Sequence, residues 1–152
     1  MIHCIIPLEE KMEFDTRVKL AIYWHFAETG HRPSIEVVAE RAGSDVEHVL
    51  DVYSRLRSQR LLVLEPDGMS IRMASPFSGV PTQHIVEAEG IQYYANCAWD
   101  ALGVLAALHK PGTIHSRCEQ SGEPFHLNVG LDGPEPSDWL FHLSCSGSQM
   151  VG

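Results

Sequence analysis

Basic residues are scarce in this chain, and scarcest in its second half. The 152 residues carry 11 Lys and Arg against 20 Asp and Glu, a formal net charge of −9. Residues 1–80 hold 9 Lys/Arg and 12 Asp/Glu, a net of −3, whereas residues 81–152 hold only Lys110 and Arg117 against 8 Asp/Glu, a net of −6. Neither half offers the basic footprint that contacts to nucleic-acid phosphates need, so a nucleic-acid partner is not expected. Cysteine is sparse as well. Cys4, Cys97, Cys118 and Cys145 contain no CxxC pair, which argues against a disulfide framework and a zinc knuckle but leaves open ligands brought together by folding. The nine histidines include no HxH or HxxxH pair, and His115 and His126 read as ordinary surface or edge residues. No apolar run reaches the ~18 residues of a membrane span. Met1–Pro7 has neither the basic start nor the long apolar stretch of a secretory signal, so a cytoplasmic protein with no membrane contact is expected.

What remains is a globular composition, 44% hydrophobic, at a length suited to one ordinary domain or two small ones. From Phe14, apolar residues recur at three- and four-residue steps through Val18, Ala21, Ile22 and Phe26, which predicts a helix stopped at Thr29-Gly30. Ser34 is placed to cap a second helix with Ile35, Val38, Ala39 and Ala42 inward and Gly43 as its stop. Ser44 and Glu47 have capping-box spacing for a third, with an inner face of Val46, Val49, Leu50, Tyr53 and Leu56. Two short runs, Leu61–Leu64 and Met69–Met73, flank Glu65-Pro66-Asp67-Gly68, a hairpin turn. Three helices and a hairpin are the element order of a winged helix, with residues 34–57 as its helix-turn-helix. The third helix opens on Asp45, Val46, Glu47 and His48, carboxylates that would face phosphates. Arg55, Arg57 and Arg60, at its far end, are the only groups there suited to a backbone. Ser75–Thr82 is rich in breakers and reads as a linker.

The second half predicts short strands around one helix. His84–Glu89 and Ile91–Tyr94 form a hairpin, an Ala- and Leu-rich helix runs from about Tyr94 to Leu108, and Lys110-Pro111-Gly112 ends it. Thr113–Cys118 and Phe125–Val129 are strands around a turn, and Trp139–Leu143 is one more. The fold class is α+β: a winged-helix-like domain at residues 1–75, a linker at 76–82 and a small α+β core at 83–152. Within the expected helix Cys97 and Asp100 are three residues apart and share a face. That pairs a soft ligand or nucleophile with a proton donor. The bland alternative for Cys97 is a buried inert thiol, and for Asp100 a solvated helix residue.

Tyr94-Ala95-Asn96-Cys97-Ala98-Trp99-Asp100-Ala101-Leu102-Gly103 resembles the active-site segment of the alkylmercury lyases (organomercurial lyases). A second match lies in Ile114–Pro124, where Cys118 precedes a Ser-Gly-x-Pro turn, and a third in Phe77-Ser78-Gly79-Val80-Pro81-Thr82. The resemblance covers roughly residues 30–143. It implies a lyase of mercuric resistance that cleaves the carbon–mercury bond by protonolysis, with no organic cofactor and Hg(II) as the ion left on sulfur. Cys97 is then the first mercury ligand and Asp100 the proton donor and transient ligand. Cys118 is mainly structural, with metal contact as its lesser role. The implied partners are a small organomercurial and a mercury acceptor, either low-molecular-weight thiols or mercuric reductase. The family's winged-helix-like start is not used on DNA. Its second catalytic cysteine lies in a later strand followed by an aromatic pair, and this sequence has no such segment. Cys145 is the candidate substitute, and the chain is expected to be a shortened relative or a fragment. The competing reading is a non-catalytic soft-metal-binding or winged-helix regulatory protein.

Overall fold

A computed structural model describes residues 8–141. Three helices come first: α1 (Leu8–Thr29), α2 (Ile35–Ala42) and α3 (Val46–Ser58). A small sheet follows, β1 (Val63–Leu64), β2 (Ile71–Ala74) and β3 (Phe77–Ser78). The second half comprises β4 (Ile85–Ala88), β5 (Ile91–Tyr94), α4 (Ala98–Leu108), β6 (Gly112–Arg117), β7 (Pro124–Gly130) and β8 (Gly133–Pro134). The sheets run in the orders β1-β2-β3 and β5-β4-β6-β7-β8, and every pairing is antiparallel. Mixed helix and sheet is the expected class.

Helix α1 starts at Leu8 rather than at Phe14. Its first turns are rich in Glu, Lys and Met, good helix formers, and the acidic residues complement the N-terminal dipole. Helix α2 is built as expected: Ser34 Oγ accepts from Val37 N at 3.3 Å, and Ile35, Val38, Ala39 and Ala42 are its buried residues. Helix α3 is capped by Asp45, not Ser44; the Asp45 carboxylate accepts from His48 N at 2.9 Å. Ser44 is engaged in closing α2, where its N–H donates to Ala39 O at 2.9 Å, as in a Schellman ending. The inward face of α3 is Val49, Val52, Tyr53 and Leu56, so Val52 takes the deep position expected for Leu50.

The Pro66-Asp67-Gly68 turn joins β1 to β2. Asp67 accepts from the Met69 and Ser70 amides at 2.8 Å each and from Ser70 Oγ at 2.6 Å. Those bonds, the Ser70 hydroxyl first, pull its pKa down to about 2. The β4–β5 hairpin turns through Glu89 (φ 48°) and Gly90 (φ 80°), two successive left-handed residues as a type I′ turn requires. Trp139–Phe141 is not a strand. Their rings instead cover Phe125, at centroid distances of 5.0 Å for Trp139 and 6.1 Å for Phe141. His142 and Leu143 lie outside the described residues. The short strand β8, with a Gly-Pro sequence that reads as a turn, was not expected.

The stretch read as a linker contains β3, and Phe77 is 2% exposed. Its ring stacks on Phe26 of α1 at 5.1 Å and tilts against Tyr93 of β5 at 5.9 Å. Tyr93 Oη donates to Ala27 O at 2.6 Å, and Tyr23 Oη to Ser75 O at 2.9 Å. Gly30, with φ 75°, lets α1 end against β5, since a Cβ there would stand 2.0 Å from Gln92 O. One buried apolar cluster therefore runs from α1 through β3 to β4–β7.

Candidate active site

Cys97 does not lie inside a helix begun at Tyr94. Tyr94 ends β5, Ala95 bridges to Phe77, and α4 begins at Ala98 with Cys97 as its N-cap. Two ties hold the chain extended up to that point. Ala95 N donates to His84 O at 2.9 Å. The Asn96 side-chain amide contacts Pro76 O at 3.2 Å and Phe77 O at 3.3 Å. Cys97 then takes the place usually held by Ser, Thr, Asp or Asn: its backbone is extended (φ −153°, ψ 175°) and its sulfur accepts from Asp100 N at 3.3 Å.

The Cys-x-x-Asp spacing is thus a capping arrangement with sulfur as the cap acceptor. Asp100 sits in the first turn of α4, where the helix dipole favours an anion. Its Oδ2 accepts from Asn96 Nδ2 at 3.1 Å. Thiol and carboxylate are therefore together as expected, but at a helix entrance and not along a helix face. Both are half-buried, open enough for a small ligand. Trp99 beside them is 53% exposed, with Phe141 at 6.3 Å edge-on. Behind the site, a Cβ on Gly103 would stand 3.2 Å from Pro76 Cβ, so that glycine lets α4 approach the β2–β3 connection closely.

Cys118 occupies a separate turn between β6 and β7. Its N–H donates to Glu123 O at 2.9 Å, and its carbonyl accepts from Gly122 N at 2.8 Å. The thiol is half-exposed rather than sealed in the core. Hydrogen bonds from Ser121, whose amide lies 3.5 Å from the sulfur, hold its pKa below the ordinary thiol range. Cys145 lies outside the described residues. Among the described residues, no three of His, Cys, Asp and Glu form a group arranged to hold a metal ion. A groove lined by Arg17, Leu20, Trp24, Glu28 and Arg41 lies on α1 and includes no residue of the Cys97 segment.

Two residues were not singled out from sequence. Asn96 fills the variable position before Cys97, where residue type carries no local signal. His84 is 3% exposed. Its Nδ1 lies 2.5 Å from Ser116 Oγ and its Nε2 3.4 Å from Glu119 Oε1. Through its ring and its carbonyl, His84 ties the Cys118 turn to the strand end that carries Cys97. Only the folded sheet brings these residues together.

On the N-terminal side, Arg55 is not free for a phosphate. Its Nε donates to Asp15 Oδ2 at 3.0 Å, and its Nη2 pairs with Asp15 Oδ1 at 2.5 Å.

A mixed fold carrying an N-cap thiol beside an oriented carboxylate defines a class of protein that handles a soft electrophile or metal. Comparison with known sequences narrows the class. The alkylmercury lyase family model matches residues 77–150. An alkylmercury lyase of Bacillus cereus is 34% identical over 103 residues, covering 68% of this chain and 45% of that protein. One from Streptomyces lividans is 32% identical over 107 residues, covering 66% of this chain and 50% of that protein. The crystal structure of the mercury-bound form of MerB2 shares the fold with a TM-score of 0.65 at 23% identity, over 87% of this chain and 61% of that one. Residues 77–150 place the chain in the alkylmercury lyase family. It spans about half the length of the curated relatives it matches.

Proposed function

We propose that this chain captures an organomercurial cation on Cys97 and supports protonolysis of the carbon–mercury bond through Asp100. The observation that carries the reading is the hydrogen-bonded run Asn96–Asp100–Cys97 at the entrance of α4. A thiolate is a soft donor matched to a soft metal. Sulfur donation to mercury raises electron density on the attached carbon. The Asp100 carboxylic acid then gives its proton to that carbon, the carbon–mercury electron pair becomes the new C–H bond, and the carboxylate joins sulfur on Hg(II). No electron is gained or lost. Asn96 holds the carboxylate over the sulfur, so the donor is positioned before substrate arrives. Cys145 is the proposed second thiolate, small thiols or mercuric reductase the proposed acceptor of Hg(II), and Cys118 a turn-forming residue.

The reading extends to the rest of the chain. Residues 1–75 serve as a winged-helix-like packing module, 76–82 as the joint and 83–152 as the lyase-like core. The Asp15–Arg55 pair and the acidic start of α3 favour that role over DNA contact. No helix among the described residues is long and apolar enough to cross a membrane, in keeping with a proposed cytoplasmic site of action. Benzene release from phenylmercury with excess thiol tests the proposal. The parent is expected to exceed the thiol blank, and Asp100→Ala to lose about a hundredfold or more of that rate, the size of a general-acid contribution. Equal rates for parent and variant would remove Asp100 from the chemistry.

A further inference from the structure

The outer face of the second sheet carries a pair of imidazoles that the Cys97 chemistry does not use. His115 on β6 stands directly opposite His126 on β7 in the antiparallel register. Strand alternation sends Ile114, Ser116 and Leu127 inward and both histidines outward. Directly opposed residues have Cβ atoms about 4.5–5.5 Å apart, and here the rings meet edge to face with centroids 4.6 Å apart. Glu87, on the neighbouring strand β4, brings its Oε2 to 3.9 Å from His115 Nε2. The side chains of His115 and Glu87 are 45% and 56% exposed, so both are open to solvent and free to adjust.

The ring of His126 is already oriented. Its Nε2 lies 3.3 Å from Asn128 Oδ1, an acceptor, so that nitrogen carries the hydrogen and Nδ1 is left as the bare donor. Asn128 is itself held: its side-chain amide donates to Glu135 Oε2 at 3.3 Å and its backbone N–H to Glu135 Oε1 at 3.0 Å. Fixing one ring nitrogen through a hydrogen bond so that the other faces a metal is a common device of histidine ligands.

We propose that His115 and His126 form a two-imidazole chelate for a borderline divalent transition metal ion, with Glu87 as a third ligand. Metal–nitrogen and metal–oxygen bonds of about 2.0–2.2 Å place neighbouring ligand atoms of one ion roughly 3.3 Å apart. The 3.9 Å between His115 Nε2 and Glu87 Oε2 closes to that by a small side-chain turn, and a turn of the His126 ring completes the set. The site is an open chelate rather than a closed cage, with its other positions left to water. Two nitrogens and one carboxylate oxygen suit nickel, copper or zinc and not calcium or magnesium, which take oxygen ligands. The net charge of −6 on residues 81–152 raises the local concentration of any cation. The site is distinct from Cys97 in residues and in ligand softness, and it does not depend on the proposed lyase chemistry.

The probe is nickel(II), titrated into the full untagged chain. Binding is measured calorimetrically and located by paramagnetic broadening of the histidine ring signals in NMR. One equivalent is expected to bind and to broaden His115 and His126 first. His115→Asn and His126→Asn are each expected to weaken binding about tenfold or more, Glu87→Gln about threefold, and Cys97→Ser not at all. Both histidines are on the surface, and an unchanged circular dichroism spectrum separates lost ligands from a lost fold. A double His115→Asn, His126→Asn variant that keeps nickel affinity within about twofold of the parent overturns the proposal. So does broadening centred on other histidines, or a parent that binds no nickel.

Discussion

Cys97→Ser is expected to abolish retention of phenylmercury against a competing small thiol, by a factor on the order of a thousand, or about 4 kcal/mol. The substitution is unusually clean. Serine is a better N-cap than cysteine, so the Asp100 N–H keeps its acceptor and α4 keeps its start. What is lost is the sulfur, the only soft donor at the head of α4. A hydroxyl at neutral pH is neither ionised nor soft, and mercury partitions to thiolates. Native mass spectrometry in the presence of glutathione reads the result. The parent should keep one phenylmercury group and the variant none. A variant that holds phenylmercury as firmly as the parent would move the site to another cysteine.

Phe77→Ala is expected to cost about 3–5 kcal/mol of folding stability, the range for deleting a fully buried aromatic ring. That is a large share of the roughly 5–15 kcal/mol available to a domain. Phe77 is 2% exposed, and its ring touches both halves of the chain, Tyr23 and Phe26 on α1 and Tyr93 on β5. Its backbone bridges Ala95, two residues before Cys97, and its carbonyl accepts from Asn96. Loss of the ring should therefore loosen the seat of the site as well as the core. Urea denaturation of parent and variant checks the figure. A loss below about 1 kcal/mol would mean that the two halves do not depend on this contact.

Local chemistry made much of the fold legible. Ser34 and Gly43 bracket α2, and the four apolar positions between them are its buried residues. Pro66-Asp67-Gly68 and Glu89-Gly90 mark turns because only certain residues take those backbone angles. Cys97 and Asp100 were correctly paired because three-residue spacing at a helix start brings side chain and backbone together. Misreadings arose where a tertiary contact overrode a local preference. Residues 94–97 have helix-compatible composition, yet Ala95 is drawn into pairing with Phe77 and His84, which moves Cys97 to the cap. Ser44 has cap chemistry but is spent on the end of α2. His84, Ser116 and Glu119 meet, as do Glu87, His115 and His126, only because strands distant in sequence lie side by side. Spacing along the chain holds no trace of those pairs.

The most direct test of the central claim is the isotopic composition of benzene released from phenylmercury in heavy water with excess thiol. Protonolysis through Asp100 delivers one solvent-exchanged hydron to the carbon that leaves mercury. The account predicts singly deuterated benzene from the parent above the thiol blank, and none above it from Asp100→Ala. Benzene release by the parent no faster than the blank, or equal release by the variant, would contradict it.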